Sequence, residues 1–113
     1  MEPKFELSGS GNESILLCPG CKGTYLHQEF IEIFDRKEDE KKGIHVVAGN
    51  QNIKIDTGLN GNPSSRRDGL KIHFSCETCL EKPVLAIWQH KGNTFSDFIL
   101  KREEPGMSSS GLS

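Results

Sequence analysis

The chain has one Trp, one Tyr and two Met among 113 residues, and its longest apolar runs are only a few residues long. A helix needs about 20 mostly apolar residues to cross a bilayer, so no membrane span is expected. The opening stretch MEPKFELSGSGNES has no apolar core behind a basic start, so it does not read as a secretory leader. The expected compartment is therefore a reducing cytoplasm, and the glycosylation-type triplet Asn12-Glu13-Ser14 is a chance match there. An excess of either charge is missing too. A net charge of −2 and a pI near 6.1 do not suit a protein that gains its affinity by coating phosphates. Catalytic signatures are likewise lacking: there is no Ser-His-Asp pattern, no H-E-x-x-H and no phosphate-binding loop. No enzyme activity is expected.

Only 34% of the residues are hydrophobic, and both ends are poor in them. Residues 1–14 are polar and Gly-rich, and residues 104–113 are almost entirely small and polar, so both read as flexible tails. Between them, 15–103 is a single small domain, a size at which the core is thin and a covalent or metal staple is valuable. Charge is unevenly spread over it. Residues 29–42 hold six acids and four bases, and residues 61–101 hold six bases and four acids. A local basic patch is therefore compatible with the near-neutral total.

All four cysteines fall into two C-x-x-C pairs, Cys18/Cys21 and Cys76/Cys79. Each pair sets two sulfurs on one tight turn, at a bite suited to a tetrahedral metal with Zn–S bonds of ~2.3 Å. Pro19-Gly20 suits that turn, Pro by presetting φ and Gly by admitting unusual backbone geometry. Three other uses of paired cysteines carry less weight. Disulfides need export. A redox C-x-x-C opens a helix in a βαβ pattern, which is not visible here. An iron site uses the same four thiolates. Zn2+ is the expected ion, in a structural role, because four thiolates leave no coordination position open for water. The 54 residues between Cys21 and Cys76 far exceed the usual gap of about 15–20 between such pairs, which implies strands inserted between the two knuckles.

The rest of the pattern is β. Strands are expected over 24–34, 44–48, 52–56, 70–76, 84–89 and 94–100, separated by Gly/Asn turns and by the loop 57–69. In the clearest of them Leu70, Ile72, Phe74 and Cys76 alternate with Lys71, His73 and Ser75, so Cys76 arrives on the apolar face. Eight of the nine residues from Asp35 to Gly43 are charged, which reads as a mobile connection. The fold class is thus mostly β: a zinc-ribbon-like antiparallel sheet with an inserted hairpin and disordered tails. The four histidines lack ligand spacing and read as ordinary surface or supporting residues, and Trp88 reads as core.

One more segment stands out. Asn60 to Gly69 sets Arg66 and Arg67 in a polar loop from which they can reach a phosphate or carboxylate. Lys71 and Lys91 are the cations that would extend that surface. The competing reading is a solvated loop. With near-neutral charge, a protein partner is favoured over nucleic acid for a module of this kind.

The stretch from CPGC through GNPSSRRDGLKIHFSCETC to KPVLAIWQHKGNTF resembles a group of small prokaryotic and phage-associated zinc-ribbon-like proteins. The shared features are paired cysteines, an Asn-Pro-Ser-x-Arg-Arg-x-Gly loop and a Gln-His-Lys-Gly turn, covering Cys18 to about Phe95. The resemblance implies a zinc-held β module, and it implies no activity.

Overall fold

The computed structural model describes residues 1–100 and is built from strands alone. Eight strands form two antiparallel sheets: β1 (Phe5–Leu7) with β2 (Ser14–Leu16), and a six-stranded sheet in the order β5-β4-β3-β6-β7-β8. The members of the large sheet are β3 (Leu26–Asp35), β4 (Ile44–Gly49), β5 (Asn52–Asp56), β6 (Gly69–Cys76), β7 (Pro83–His90) and β8 (Asn93–Leu100). The strands expected from the sequence are all present, within two residues at each end. The β4–β5 hairpin lies between the two cysteine pairs in sequence and extends the sheet beyond β3, as the long gap implied.

Turn chemistry accounts for the hairpins. Asn50 and Gln51 both have positive φ (51° and 62°), as do Lys91 and Gly92 (51° and 82°). Two consecutive left-handed residues make the tight two-residue turn that matches strand twist. Gly49, adjacent to the first of these turns, is itself a strand residue. A Cβ there would stand 2.5 Å from Phe30 Cβ, beside the irregularity in β3–β6 pairing between Gln28 and Phe30.

Residues paired across neighbouring strands share a face, so the register sorts the sheet into two sides. One side, here the polar face, carries Glu32, His45, Asp56, Lys71, His73 and Asp97 together with Phe30, Phe34, Val84, Ala86 and Trp88. The other, the aliphatic face, carries Ile31, Ile33, Val46, Ala48, Ile53, Ile55, Leu70, Ile72, Leu85 and Ile87, and toward one end Phe74, Cys76 and Phe98. The loop 57–68 folds onto the polar face. At Gly69 a Cβ would lie 2.2 Å from Asn62 Oδ1 and 2.7 Å from Pro63 Cδ, so only glycine lets the loop sit this close. Phe34 is thereby almost fully buried (1% exposed), with its ring stacked on His45. Phe98 and Phe74 form the corresponding buried contact at the cysteine end.

Three expectations are corrected. Residues 1–14, read as a structureless tail, contain β1. Lys4 O accepts from Leu17 N–H and Met1 O from Phe98 N–H, which ties the segment to the cysteine end and to β8. The 36–43 connection is not a detached charged loop. Arg36 Nη1 donates to Ser65 O, Asp39 N–H donates to Arg66 O, and its acids meet the arginines opposite. Trp88 is only half-buried and stacks on Phe95, with 5.7 Å between ring centroids. Residues 104–113, the expected C-terminal tail, lie outside the described residues.

Candidate metal centre

The two C-x-x-C segments fold alike. In the first, Cys18 N–H donates to Gly23 O and Lys22 N–H to Cys18 O; in the second, Cys76 N–H donates to Glu81 O and Leu80 N–H to Cys76 O. The residue after each second cysteine, Lys22 or Leu80, takes positive φ (67° and 63°). The turn is therefore completed just outside the C-x-x-C, and Pro19-Gly20 is not what defines it, since Glu77-Thr78 serves equally in the second pair. Gly20 has ordinary φ and answers to proximity instead, with a Cβ there 3.3 Å from Glu81 Cγ and 3.6 Å from Cys79 Sγ.

β6 brings Cys76 to the sheet's end on the aliphatic side, and the chain leaving β2 brings Cys18 against it. One ligand atom from each of the four cysteines lies within 4.8 Å of all the others. Two contacts cross between the knuckles: Cys18 Sγ to Cys79 Sγ and Cys21 Sγ to Cys76 Sγ are both 3.7 Å apart. A regular tetrahedron with 2.3 Å metal–sulfur bonds has sulfurs about 3.8 Å apart, whereas a disulfide needs about 2.05 Å. The donor set therefore fits a tetrahedral metal and excludes disulfides in this arrangement. Cys18 and Cys76 are buried (0% and 2% exposed), while Cys21 and Cys79 lie nearer solvent.

Protonation points the same way. Burial pushes the Cys76 thiol up, but the N–H groups of Cys79 and Thr78 and the adjoining sulfurs outweigh it and bring the group down to about 7. Cys79 accepts from Glu81 N–H, which lowers its pKa, yet burial and the three other sulfurs raise it to about 12. Cys18 is raised chiefly by burial. Four sulfurs this close ionise together only around a cation, because like charges at such separations oppose each other.

The four partner-binding candidates do not form one patch. Arg66 makes a two-pronged bond to Asp39 (2.8 and 2.7 Å) and a further one to Glu38 (3.0 Å), and Arg67 donates to Glu38 (2.9 Å). Arg66 and Arg67 share a polar cleft of about 420 Å³ with Lys91, Glu38 and Asp68. Lys71 lies elsewhere, on the polar face near Gly61. The Asn62–Gly69 turn is built around Ser64, which is 3% exposed. Its Oγ donates to Gln89 O and accepts from the N–H groups of Arg66 and Arg67.

Sequence reasoning missed a second cluster. Glu32 Oε1 meets His45 Nε2 at 2.9 Å and Oε2 meets His73 Nε2 at 2.6 Å, while His45 Nδ1 reaches Asp56 at 3.1 Å. The histidine rings stack on Phe34 and Phe30. Burial pushes the Glu32 carboxyl up, but the bonds from the two histidines outweigh it and hold it below its ordinary value. Strand parity alone places Glu32 and His73 on one side, but their meeting depends on β3–β6 pairing, which the sequence does not state. The cysteine tetrad is the one group of metal-ligating geometry among the described residues.

No protein family, curated protein or solved structure matches the chain. The roles of its residues therefore rest on their own geometry. Among the described residues, no helix is long and apolar enough to cross a membrane.

Proposed function

We propose that this chain is a non-enzymatic binding module whose fold is closed by one structural Zn2+ on Cys18, Cys21, Cys76 and Cys79, and which acts by engaging another protein as an adaptor or inhibitor. The observation that carries the metal reading is the clustering of the four sulfurs within 4.8 Å across two congruent knuckles, with both cross-knuckle contacts at 3.7 Å. Zinc is preferred over iron on the expected chemistry of a redox-inert structural site. With four thiolates as ligands, the ion would hold the start of the domain to the β6–β7 connection and would keep no position for substrate.

Support for a protein partner comes from the cleft by Arg67 and Lys91. Its cations face Glu38 and Asp68, and Arg66 is already neutralised by Asp39. A surface of mixed sign suits the mixed charges of another protein better than a run of phosphates, whose binding relies on uncompensated cations. The nucleic-acid alternative through Arg66, Arg67, Lys71 and Lys91 is weakened by the same ion pairs.

Elemental analysis with thiol titration of the purified protein tests the metal reading: one zinc per chain and four thiols that react only after chelation are expected. Two disulfides, or a folded metal-free chain, would refute it. For the partner, binding to the protein that co-purifies should fall at least about tenfold in Arg67→Ala/Lys91→Ala. A steep inverse dependence of binding on salt, with nucleic acid as the captured species, would instead favour the alternative.

A further inference from the structure

The aliphatic side of the six-stranded sheet is covered at the cysteine end, where Phe74, Cys76 and Phe98 are buried, and bare over the rest. Sheets in β domains are covered by a second layer on their apolar face, and the polar face has such a cover in the loop 57–68. On the aliphatic face Ile33, Ile44, Ile53 and Ile55 are 44%, 48%, 67% and 63% exposed. Ile31, Val46, Ala48, Leu70, Ile72, Leu85 and Ile87 are half-buried by one another. The β1–β2 sheet does not stack on it. Toward the end of the sheet remote from the cysteines, Ile33, Leu70 and Ile87 line an open, mainly apolar depression of about 520 Å³, with Asp35 and Asp68 also in its lining.

Charge narrows what can cover this surface. Reading the register along all six strands, the only charged residue on the aliphatic face is Asp35, at the rim; the remaining polar residues are Gln89, Thr94 and Ser96 on β7 and β8, with Gln28 beside the pairing irregularity in β3. The polar face, by contrast, has at least six titratable groups. Occupying a broad aliphatic sheet whose only carboxylates, Asp35 and Asp68, lie toward one end, without burying an unpaired charge, requires an equally flat surface with as little charge. The chain itself possesses one. Six strands about 4.8 Å apart and about 20 Å long give a plan area of roughly 500 Å². Two such faces bury on the order of 1,000 Å² in total, the threshold of a specific interface.

We propose that the chain self-associates face to face, two copies packing their aliphatic sheet faces into a two-layered β-sandwich about a two-fold axis. This goes beyond the metal-held binding module and does not depend on the identity of its ion. In such an isologous interface each residue occurs twice, so a single lysine placed there brings two buried charges into one contact.

Light scattering across a wide concentration range tests this on the full chain, with zinc content and circular dichroism recorded on the same samples. The wild type is expected to pass from 12.6 kDa toward twice that mass. Ile33→Lys and Ile55→Lys, each separately, should weaken dimerisation at least about tenfold while keeping the native spectrum. Ile99→Lys, at a similarly exposed isoleucine (46%) on the polar face, should leave it unchanged. A wild type that is monomeric at every concentration overturns the proposal, as does a dimer indifferent to both face substitutions or broken by Ile99→Lys. A monomer that binds neutral phosphatidylcholine vesicles through Ile33 and Ile55 also overturns it and assigns the face to lipid. Dimerisation of metal-free protein would refute the zinc reading and leave this one standing.

Discussion

β6 runs between two ends of the molecule that are held by different chemistry. At its C-terminal end Cys76 joins three other sulfurs in a compact tetrad, while at its N-terminal end Gly69 lets a loop close over Phe34. On the proposed metal reading the cysteine end would depend on four ligands serving one ion, so that removing one affects the others. The loop end is held by many small, separable contacts: a buried Ser64 hydroxyl, a packed Phe ring and ion pairs among exposed groups. The difference between them is one of cooperativity, and variants at the two ends should expose it by the size and breadth of their effects.

The largest effect is expected at the metal end. Structural zinc contributes apparent binding free energy of about 10 kcal/mol or more at neutral pH, well beyond the few kcal/mol that a core of this size supplies. Chelation, or Cys76→Ser, should therefore abolish the native far-UV circular dichroism of the whole domain. Retention of the native spectrum after chelation would mean that the hydrophobic packing suffices alone.

Phe34→Ala at the opposite end removes a fully buried ring and should lower stability by about 3–5 kcal/mol in urea unfolding. Zinc stoichiometry should stay at one, since Phe34 lies at the other end of the sheet; a parallel loss of zinc would show that the two ends are coupled.

Between these ends, Glu32 tests the polar face. Its folded pKa lies below its unfolded value near 4.5, so its contribution is present above that value and disappears as pH falls through the folded pKa. Glu32→Gln should lose about 1.5–3 kcal/mol near neutrality, the range for hydrogen bonds to a charged group. Its stability should also fall less steeply than that of the wild type as the pH drops below 4.5. Identical acid profiles for the two proteins would remove Glu32 from the account.

Ser64→Ala should cost about 1–3 kcal/mol, because Gln89 O and two backbone N–H groups lose a buried partner. Smallest of all, Arg66→Ala/Arg67→Ala should leave the melting temperature nearly unchanged, since these ion pairs are exposed to solvent. A larger loss in thermal melting would mean that the acidic 36–43 segment relies on them for its place.

The cysteine spacing sufficed to single out the four sulfurs that the fold gathers within 4.8 Å, because C-x-x-C fixes the distance within each pair through local backbone geometry alone. Strand positions were equally readable from alternation, as in Leu70, Ile72 and Phe74, and the turns from Asn50 and Gly92. These are short-range properties, written within a few residues. Apart from the meeting of the two cysteine pairs, what escaped was what requires two distant segments to meet. The Glu32 bridge between His45 and His73 depends on β3 lying between β4 and β6. The arginines of residues 66 and 67 met acids some 27–29 positions away, turning two separate charged loops into one connected surface. Even the cross-paired sulfurs at 3.7 Å required the fold to carry β6 across to the first knuckle. Side-chain chemistry and local period establish which residues are able to interact, and strand order and register choose the partners, because burial and electrostatics act on neighbours in space rather than in sequence.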